Sequence, residues 1–366
     1  MKKNLYVDIN VLQTVPSSNI NRDDTGSPKT AVYGGVTRSR VSSQSWKRAV
    51  RLAFKSEDEE WLDSYRTKKV VYLLADELKK LDDILDDDAA IDKAQSILKA
   101  VGIKATKDKK TGEILTGALL LVSRGEIEKI AKYATENDVT DKEAKKAIKD
   151  LLMSDQSLDL ALFGRMVADN PELNVDASCQ VAHSISTHEI IPEFDYYTAV
   201  DDNRSEDNAG SAMIGTIEYN SSTLYRYANI NLNELEHNLG KDLTLKGMEL
   251  FIKDFILTMP TGKENTFANK TLPQYVLVNV REDTPVNLVS AFENPVNTEN
   301  GYVDTSIKRL EKENADAEGF VDEPVLSIVL TNKDTDISNK AENIKDMLSK
   351  ISEVVSQRLA DEDNNN

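Results

Sequence analysis

The stretch GGVTRSRVSSQSWKRAVR, residues 34 to 51, holds the residue types best suited to gripping a polyanion. A helix entered at Ser42 or Ser43 puts Gln44, Lys47, Arg48 and Arg51 at i, i+3, i+4 and i+7, on one face. Trp46, Ala49, Val50, Ala53 and Phe54 fall on the opposite face, at a spacing that buries a stripe. A serine at the start can accept a hydrogen bond from an unpaired backbone N–H, and the free N–H groups there suit a phosphate. The plain alternative is a solvated basic face. Arg38, Arg40 and the glycine pair Gly34–Gly35 ahead of the helix tilt the reading toward a polyanion site.

Three other groups could do chemistry. Asp23 and Asp24 in the loop NRDDTGSPK could bind a metal or transfer protons, but pairing with nearby arginines or capping a turn is the simpler role. His183 and His188, with Glu189, lie in ASCQVAHSISTHEI. They are five apart, so a helix would not bring them together as an i, i+4 ligand pair, and a structural or RNA-contacting role is expected. Tyr196 and Tyr197 enter a long loop rich in Asp, Asn, Gly and Ser. Aromatic rings there can stack on bases or pack in a core. Arg165 and Met166 close the apolar helix expected over LDLALFGRM (Leu158 to Met166), which ends on Gly164-Arg165-Met166, and are expected to project from that end, with core packing as the alternative for Met166.

The elements that must position these groups follow from the pattern. Leu5 to Leu12 alternates as a strand with one buried face, closed by Pro16–Asn19. Residues 56 to 168 are rich in Leu, Ala, Lys, Asp and Glu. Helical periodicity runs through Trp61–Leu85, Ala89–Val101, Gly125–Ala134 and Lys142–Met153. KATKDKKTGEILTG between them is a hairpin or a loose loop. After the tyrosine-bearing strand and loop come two further strands, a helix over Leu243–Met259, the strand PQYVLVNVRE, a helix over Ser306–Asn314, the strand EPVLSIVLT and a helix over Asn343–Leu359. The fold class is α+β, with a helical block inserted after the first helix.

The chain's 366 residues allow one large or two ordinary domains. Its net charge of -18 argues against nucleic acid on bulk grounds. Residues 19 to 51, however, carry seven Lys or Arg against two Asp, while residues 76 to 92 carry eight acids against two lysines. A local basic groove on an acidic body can bind a polyanion while limiting nonspecific contacts elsewhere. A single cysteine, Cys179, excludes an internal disulfide and points to a reducing, cytoplasmic home. Met1-Lys2-Lys3 is not read as a signal peptide, because Asp8 and Asn10 interrupt the apolar run that follows. No stretch reaches membrane-spanning length.

Several ordered motifs make a specific match: NRDD (21–24), GGVTRSRVSSQSWKR (34–48), LFGRM (162–166), AHSISTHE (182–189), YTAVDD (197–202) and YRYANINL (225–232). With them the sequence resembles the CasC family, the crRNA-binding backbone subunit of the type I-E CRISPR Cascade complex. The resemblance implies a right-hand shape with a ferredoxin-like, RRM-type palm. It divides the chain into palm (1–55, 177–194, 223–360), helical fingers (56–176), thumb loop (195–222) and a disordered tail (361–366). It implies a non-catalytic protein with no cofactor or metal. Its partners would be crRNA, target DNA through the guide, further copies in a helical filament, and the large, small, guide-end-capping and guide-processing Cascade subunits. Lys29, Ser42, Gln44, Lys47 and Arg51 carry over as RNA-backbone contacts, and Arg22 from the NRDD loop. Met166 matches a position against displaced bases, and Tyr197 and Thr198 match the thumb base. Arg38, Arg40, Arg48 and Arg165 join the RNA-binding set from the residue pattern. The competing readings are a guide-associated ribonuclease using Asp23, Asp24, Asp201 or Asp202, and a monomeric RNA-binding module.

Overall fold

A computed structural model describes residues 4–57, 59–139, 141–167, 170–199 and 213–364. In chain order the elements begin with β1 Tyr6–Ser18, β2 Thr30–Tyr33, β3 Val36–Val41 and α1 Ser43–Phe54. Next come β4 Ser64–Thr67, α2 Val70–Leu81, α3 Asp87–Ala100, β5 Ala105–Lys107, β6 Ile114–Thr116, β7 Leu120–Ser123, α4 Arg124–Glu136, α5 Lys142–Leu152 and α6 Leu158–Phe163. The chain ends with β8 Cys179–Val181, β9 Ser184–Ser186, β10 Glu193–Ala199, β11 Met213–Asn231, α7 Leu232–Leu239, α8 Lys241–Leu257, α9 Glu264–Phe267, β12 Tyr275–Arg281, α10 Val303–Ala317, β13 Leu326–Thr331 and α11 Ile344–Asn364. The fold is α+β around an open antiparallel sheet. The chain divides into two compact units.

The first unit comprises residues 1–50, 181–229 and 249–366. Its sheet runs β13-β12-β1-β11-β9-β3-β2. The centre of β1 is buried on both faces, not the one expected, because most of its polar atoms find partners inside, although Asn10 Nδ2 has none. Asp8 accepts from the Tyr227 hydroxyl at 2.7 Å and the Val286 N–H at 2.9 Å. The Tyr225 hydroxyl donates to Asn10 at 2.8 Å. The strand also passes through Pro16 instead of stopping there, and Pro16 is exposed. Residues 213 to 231 form one long strand where two were expected. Its first half pairs with β10 as a two-stranded ribbon, Tyr197 opposite Gly215. α11 runs on to Asn364, so residues 361–364 continue a helix where a disordered tail was expected. Residues 365 and 366 lie outside the described residues, as does much of the loop after Ala199.

The second unit comprises residues 51–180 and 230–248. Leu74, Leu78, Ala94, Ile97, Val122, Ile130 and Ile148 share its core. Asp86 caps α3 through the Ala89 N–H, and Asp141 caps α5 through the Ala144 N–H. Ser123 and Glu126 form a reciprocal capping box on α4. Ser64–Thr67 is a strand paired with β7 rather than part of a helix. That non-local pairing overrides the local periodicity. The lysine-bearing turn is a hairpin, β5 with β6.

Candidate nucleic-acid interface

Helix α1 has the two faces its sequence implies. Trp46, Val50 and Phe54 are fully buried, and the Trp46 indole N–H donates to Ser184 Oγ at 2.9 Å. Gln44 and Arg48 are exposed and Lys47 is half-buried. Burying an aromatic this size contributes about 2–3 kcal/mol, so the apolar side fixes which residues face outward.

The N-terminal end of α1 is assembled by the loop before it. The Ser42 N–H donates to Asn21 Oδ1 at 2.9 Å, and the Ser43 N–H donates to His183 Nδ1 at 3.1 Å. The Lys29 N–H bonds Asn21 O at 2.8 Å, and the Arg40 N–H bonds Lys29 O at 2.9 Å. Lys29 and Arg40 thereby line a narrow crevice, of about 10 Å³, with Asn21, Ser39, Asn220 and Ser222. His183 stands in their field. Burial first, then Arg40 and Lys29, lower its pKa below the usual imidazole value. The Ser42 and Ser43 N–H groups, expected to be free for a phosphate, are taken by these bonds, so what favours an anion at this end is the positive charge of Lys29 and Arg40.

Four expected contact residues are placed otherwise. Arg38 has 0% exposure. Its guanidinium donates to the carbonyls of Tyr33 at 3.1 Å, Ser186 at 2.9 Å and Phe292 at 2.8 Å, so it is a packing group and not a phosphate ligand. The adjacent Gly34 serves the same packing. Its φ is +61°, and a Cβ there would meet the Glu293 carbonyl oxygen at 1.6 Å. Arg165 is also buried and does not project. It donates to Glu126 Oε1 at 2.9 Å and to the carbonyls of Leu173 at 2.9 Å and Leu152 at 2.6 Å. Arg51 is held by Asp159 at 2.5 Å, a carboxylate that also accepts from Ser64 Oγ and Ser157 Oγ. Ser42 is almost wholly buried.

Met166 is 82% exposed, which core packing would not allow. Arg22 and Thr198 are exposed, and Tyr197 is half-buried with its ring against Gly215. On the ribbon, the register puts Phe194, Tyr196 and Ile214 on one face, exposed by 66%, 64% and 61%. Rings left open on a strand face can stack on bases.

The acids and histidines settle into local roles. Asp23 accepts from the Thr25 N–H, the Thr25 hydroxyl and the Ser27 N–H, and the hydroxyl bond leads in holding its carboxyl below the usual range. Asp24 is exposed beside it, and Asp201 and Asp202 lie outside the described residues. Among the described residues no group of three or more His, Cys, Asp or Glu could hold a metal. His188 is buried, stacked on Tyr302 with 3.6 Å between ring centroids, and accepts the Thr223 N–H at Nε2. No helix of the described residues is long and apolar enough to cross a membrane.

His183 has the structural role expected of it, although its partner, the Ser43 N–H, is 140 residues away and no local spacing signals the pairing. One contributor escaped the sequence reading. Arg226 lies behind Trp46, its Cζ 3.9 Å from the ring centroid. Its place in the YRYA run resembles ordinary strand alternation.

The sequence matches the family model described as CT1975-like protein over residues 7–357. The chain is similar in structure to a chain described as CRISPR RNA-guided surveillance complex, pre-nicking. That match has 32% identity, a TM-score of 0.85, and covers 95% of this chain and 99% of the other. A second, described as CRISPR RNA-guided surveillance complex, has 29% identity, a TM-score of 0.73, and covers 94% of this chain and 99% of the other. No curated protein matches the chain.

Proposed function

The chain belongs to the CT1975-like protein family, and from that premise we propose that it is a crRNA-binding backbone subunit of a CRISPR surveillance complex, of the type I-E CasC kind. The observation that carries this reading is the basic outer face of α1. Gln44, Lys47 and Arg48 project from a helix locked down by Trp46, with Lys29, Arg40 and His183 around its N-terminal end. The near-complete coverage of surveillance-complex chains supports the same role.

The protein holds guide RNA by its phosphates, which carry no sequence information, so any spacer is accepted. Met166, Tyr197, Thr198 and the open rings of the β10–β11 ribbon supply apolar surface for displaced bases, and stacking is tolerant of base identity. Sequence is then read by pairing of the guide with target DNA. Copies associate head to tail along the guide, a contact that builds a filament because it does not close. The large, small, guide-end-capping and guide-processing subunits complete the particle in the cytoplasm. The subunit is non-catalytic. The engagement of Asp23 with its own turn supports a loop-forming role for the NRDD acids.

The test is binding of guide-length RNAs of unrelated sequence, with particle size measured in parallel. Similar affinity for all of them and growth of large particles with protein concentration are expected. Discrimination among sequences, or a complex that stays at one copy per RNA, would overturn the backbone role. Metal-dependent RNA cleavage lost in Asp24→Ala would overturn the non-catalytic one.

A further inference from the structure

Directly behind α1 lies a cation that the interface described so far does not use. Arg226 is 1% exposed. Its guanidinium is sandwiched between the Trp46 ring, 3.9 Å from the centroid, and the Phe255 ring, 4.6 Å away. It donates to Gln13 Oε1 and to the Phe255 carbonyl, while its Nε has no hydrogen-bond partner. Gln13 is fixed in turn by donating to the Thr271 carbonyl at 2.8 Å. Every polar partner is neutral. Burial alone pushes the arginine down to about 9, with no charged neighbour contributing. Of the three other buried arginines among the described residues, two have a carboxylate at hand, Arg165 touching Glu126 at 2.9 Å and Arg281 lying 3.5 Å from Asp8, while Arg38 bonds carbonyls but feels the nearby charges of Glu189 and Glu293.

A buried charge without a counter-ion is costly, and an apolar side chain of similar size at such a place is often neutral or stabilising. The position relative to the basic face gives that cost a function. A helix is about 10 Å across, so a cation stacked on Trp46 sits about one helix diameter behind Gln44, Lys47 and Arg48. The intervening material is packed protein, where screening is weaker than in water.

We propose that Arg226 is a positioning residue for the guide-binding face: an unpaired cation, stacked on Trp46, whose field through α1 strengthens the hold on the RNA phosphates. The inference rests on the RNA-binding reading above. Bound RNA supplies the negative charge that the fold withholds from Arg226, so RNA binding and the stability of this unit are coupled through it.

The experiment measures the affinity of the full-length chain for fluorescent guide-length RNA of two unrelated sequences, together with thermal melting with and without RNA. The variants are Arg226→Met, Arg226→Gln and Arg226→Lys, with Lys47→Ala plus Arg48→Ala as the control that disrupts the face itself. Arg226→Met is expected to melt at or above the wild-type temperature when free, to bind both RNAs roughly three- to tenfold more weakly, and to gain less from RNA in melting. Arg226→Gln is expected to lose affinity likewise, and Arg226→Lys, which keeps the charge, to stay near wild type. Wild-type affinity in a folded Arg226→Met or Arg226→Gln overturns the inference while leaving the RNA site intact. So does an Arg226→Lys as weak as the neutral variants, which would make stacking geometry, not charge, the cause. Failure of both neutral variants to fold overturns it as well, since the cation would then serve the fold itself. A wild-type protein that binds no RNA overturns the functional reading and this inference together.

Discussion

The Nδ1 of His183 accepts the backbone N–H of Ser43 at 3.1 Å, closing the first turn of α1 from a different strand connection. The contact requires a neutral imidazole at Nδ1. The pKa of His183 is lowered, first by burial and then by Arg40 and Lys29.

A pH dependence with a defined sign follows from this pair. A histidine whose folded pKa lies below its unfolded value of about 6.5 contributes stability that is present above that value and lost as pH falls through the folded one. His183→Ala is expected to cost about 1 kcal/mol at pH 8, the usual worth of a capping side chain. At pH 5 the difference from wild type should be smaller. Thermal melting at the two pH values checks it, and an equal loss at both would contradict a neutral cap.

Lys47→Ala plus Arg48→Ala should weaken RNA binding by a similar factor for every sequence, without change in fold. Removing one phosphate-binding cation should lower the salt slope by ~0.7 for a single strand. Arg51→Ala should behave differently. It leaves Asp159 with two hydroxyl partners and no cation, at a cost of about 2–3 kcal/mol seen in denaturant melts. An unchanged salt slope in the double variant would refute phosphate binding by this face.

Arg165 and Met166 are chain neighbours with opposite expectations. Arg165→Ala strands the buried Glu126 carboxyl and should destabilise by about 3–5 kcal/mol. Met166→Ala removes an exposed side chain and should stay within about 0.5 kcal/mol of wild type. Its expected effect is on the bound state, as a change in the fluorescence of 2-aminopurine placed along the guide. A Met166→Ala protein that melts early would show the side chain to be packing after all.

Asp8 gives a second titration of opposite sign. Burial leads in raising its pKa to about 6, against the bonds from Val286 and Tyr227 and the charge of Arg281. Stability from a raised carboxyl is complete below about pH 3.8 and is lost as pH rises through about 6. Asp8→Asn should therefore flatten the difference curve between pH 4 and 6. Parallel melting curves for variant and wild type across that range would contradict a protonated, buried Asp8.

Much of this was legible in the residues because the relevant signals are local. The helical period of Trp46, Val50 and Phe54 against Gln44, Lys47 and Arg48 survives folding, since one apolar stripe suffices to orient a helix. What failed was non-local. Arg38 and Arg165 are arginines in basic-looking surroundings, yet carbonyls from distant segments bury them, and charge alone does not tell a surface arginine from an interior one. Asp8 and Asn10 alternate as an exposed face would, but Tyr225 and Tyr227 of β11 and the Val286 N–H of a distant loop bond their carboxyl and carbonyl oxygens inside the fold. The same limit hid Arg226 and the partner of His183, since both contact α1 from more than 130 residues away in the chain.

The central claim is that this chain carries guide RNA. Its most direct test is to purify the protein expressed with its neighbouring subunits and a CRISPR array, then sequence whatever RNA accompanies it. RNA of uniform guide length in a large particle, depleted by Lys47→Ala plus Arg48→Ala, is the expected result. Nucleic-acid-free protein would contradict it and leave the outer face of α1 a solvated or protein-binding surface.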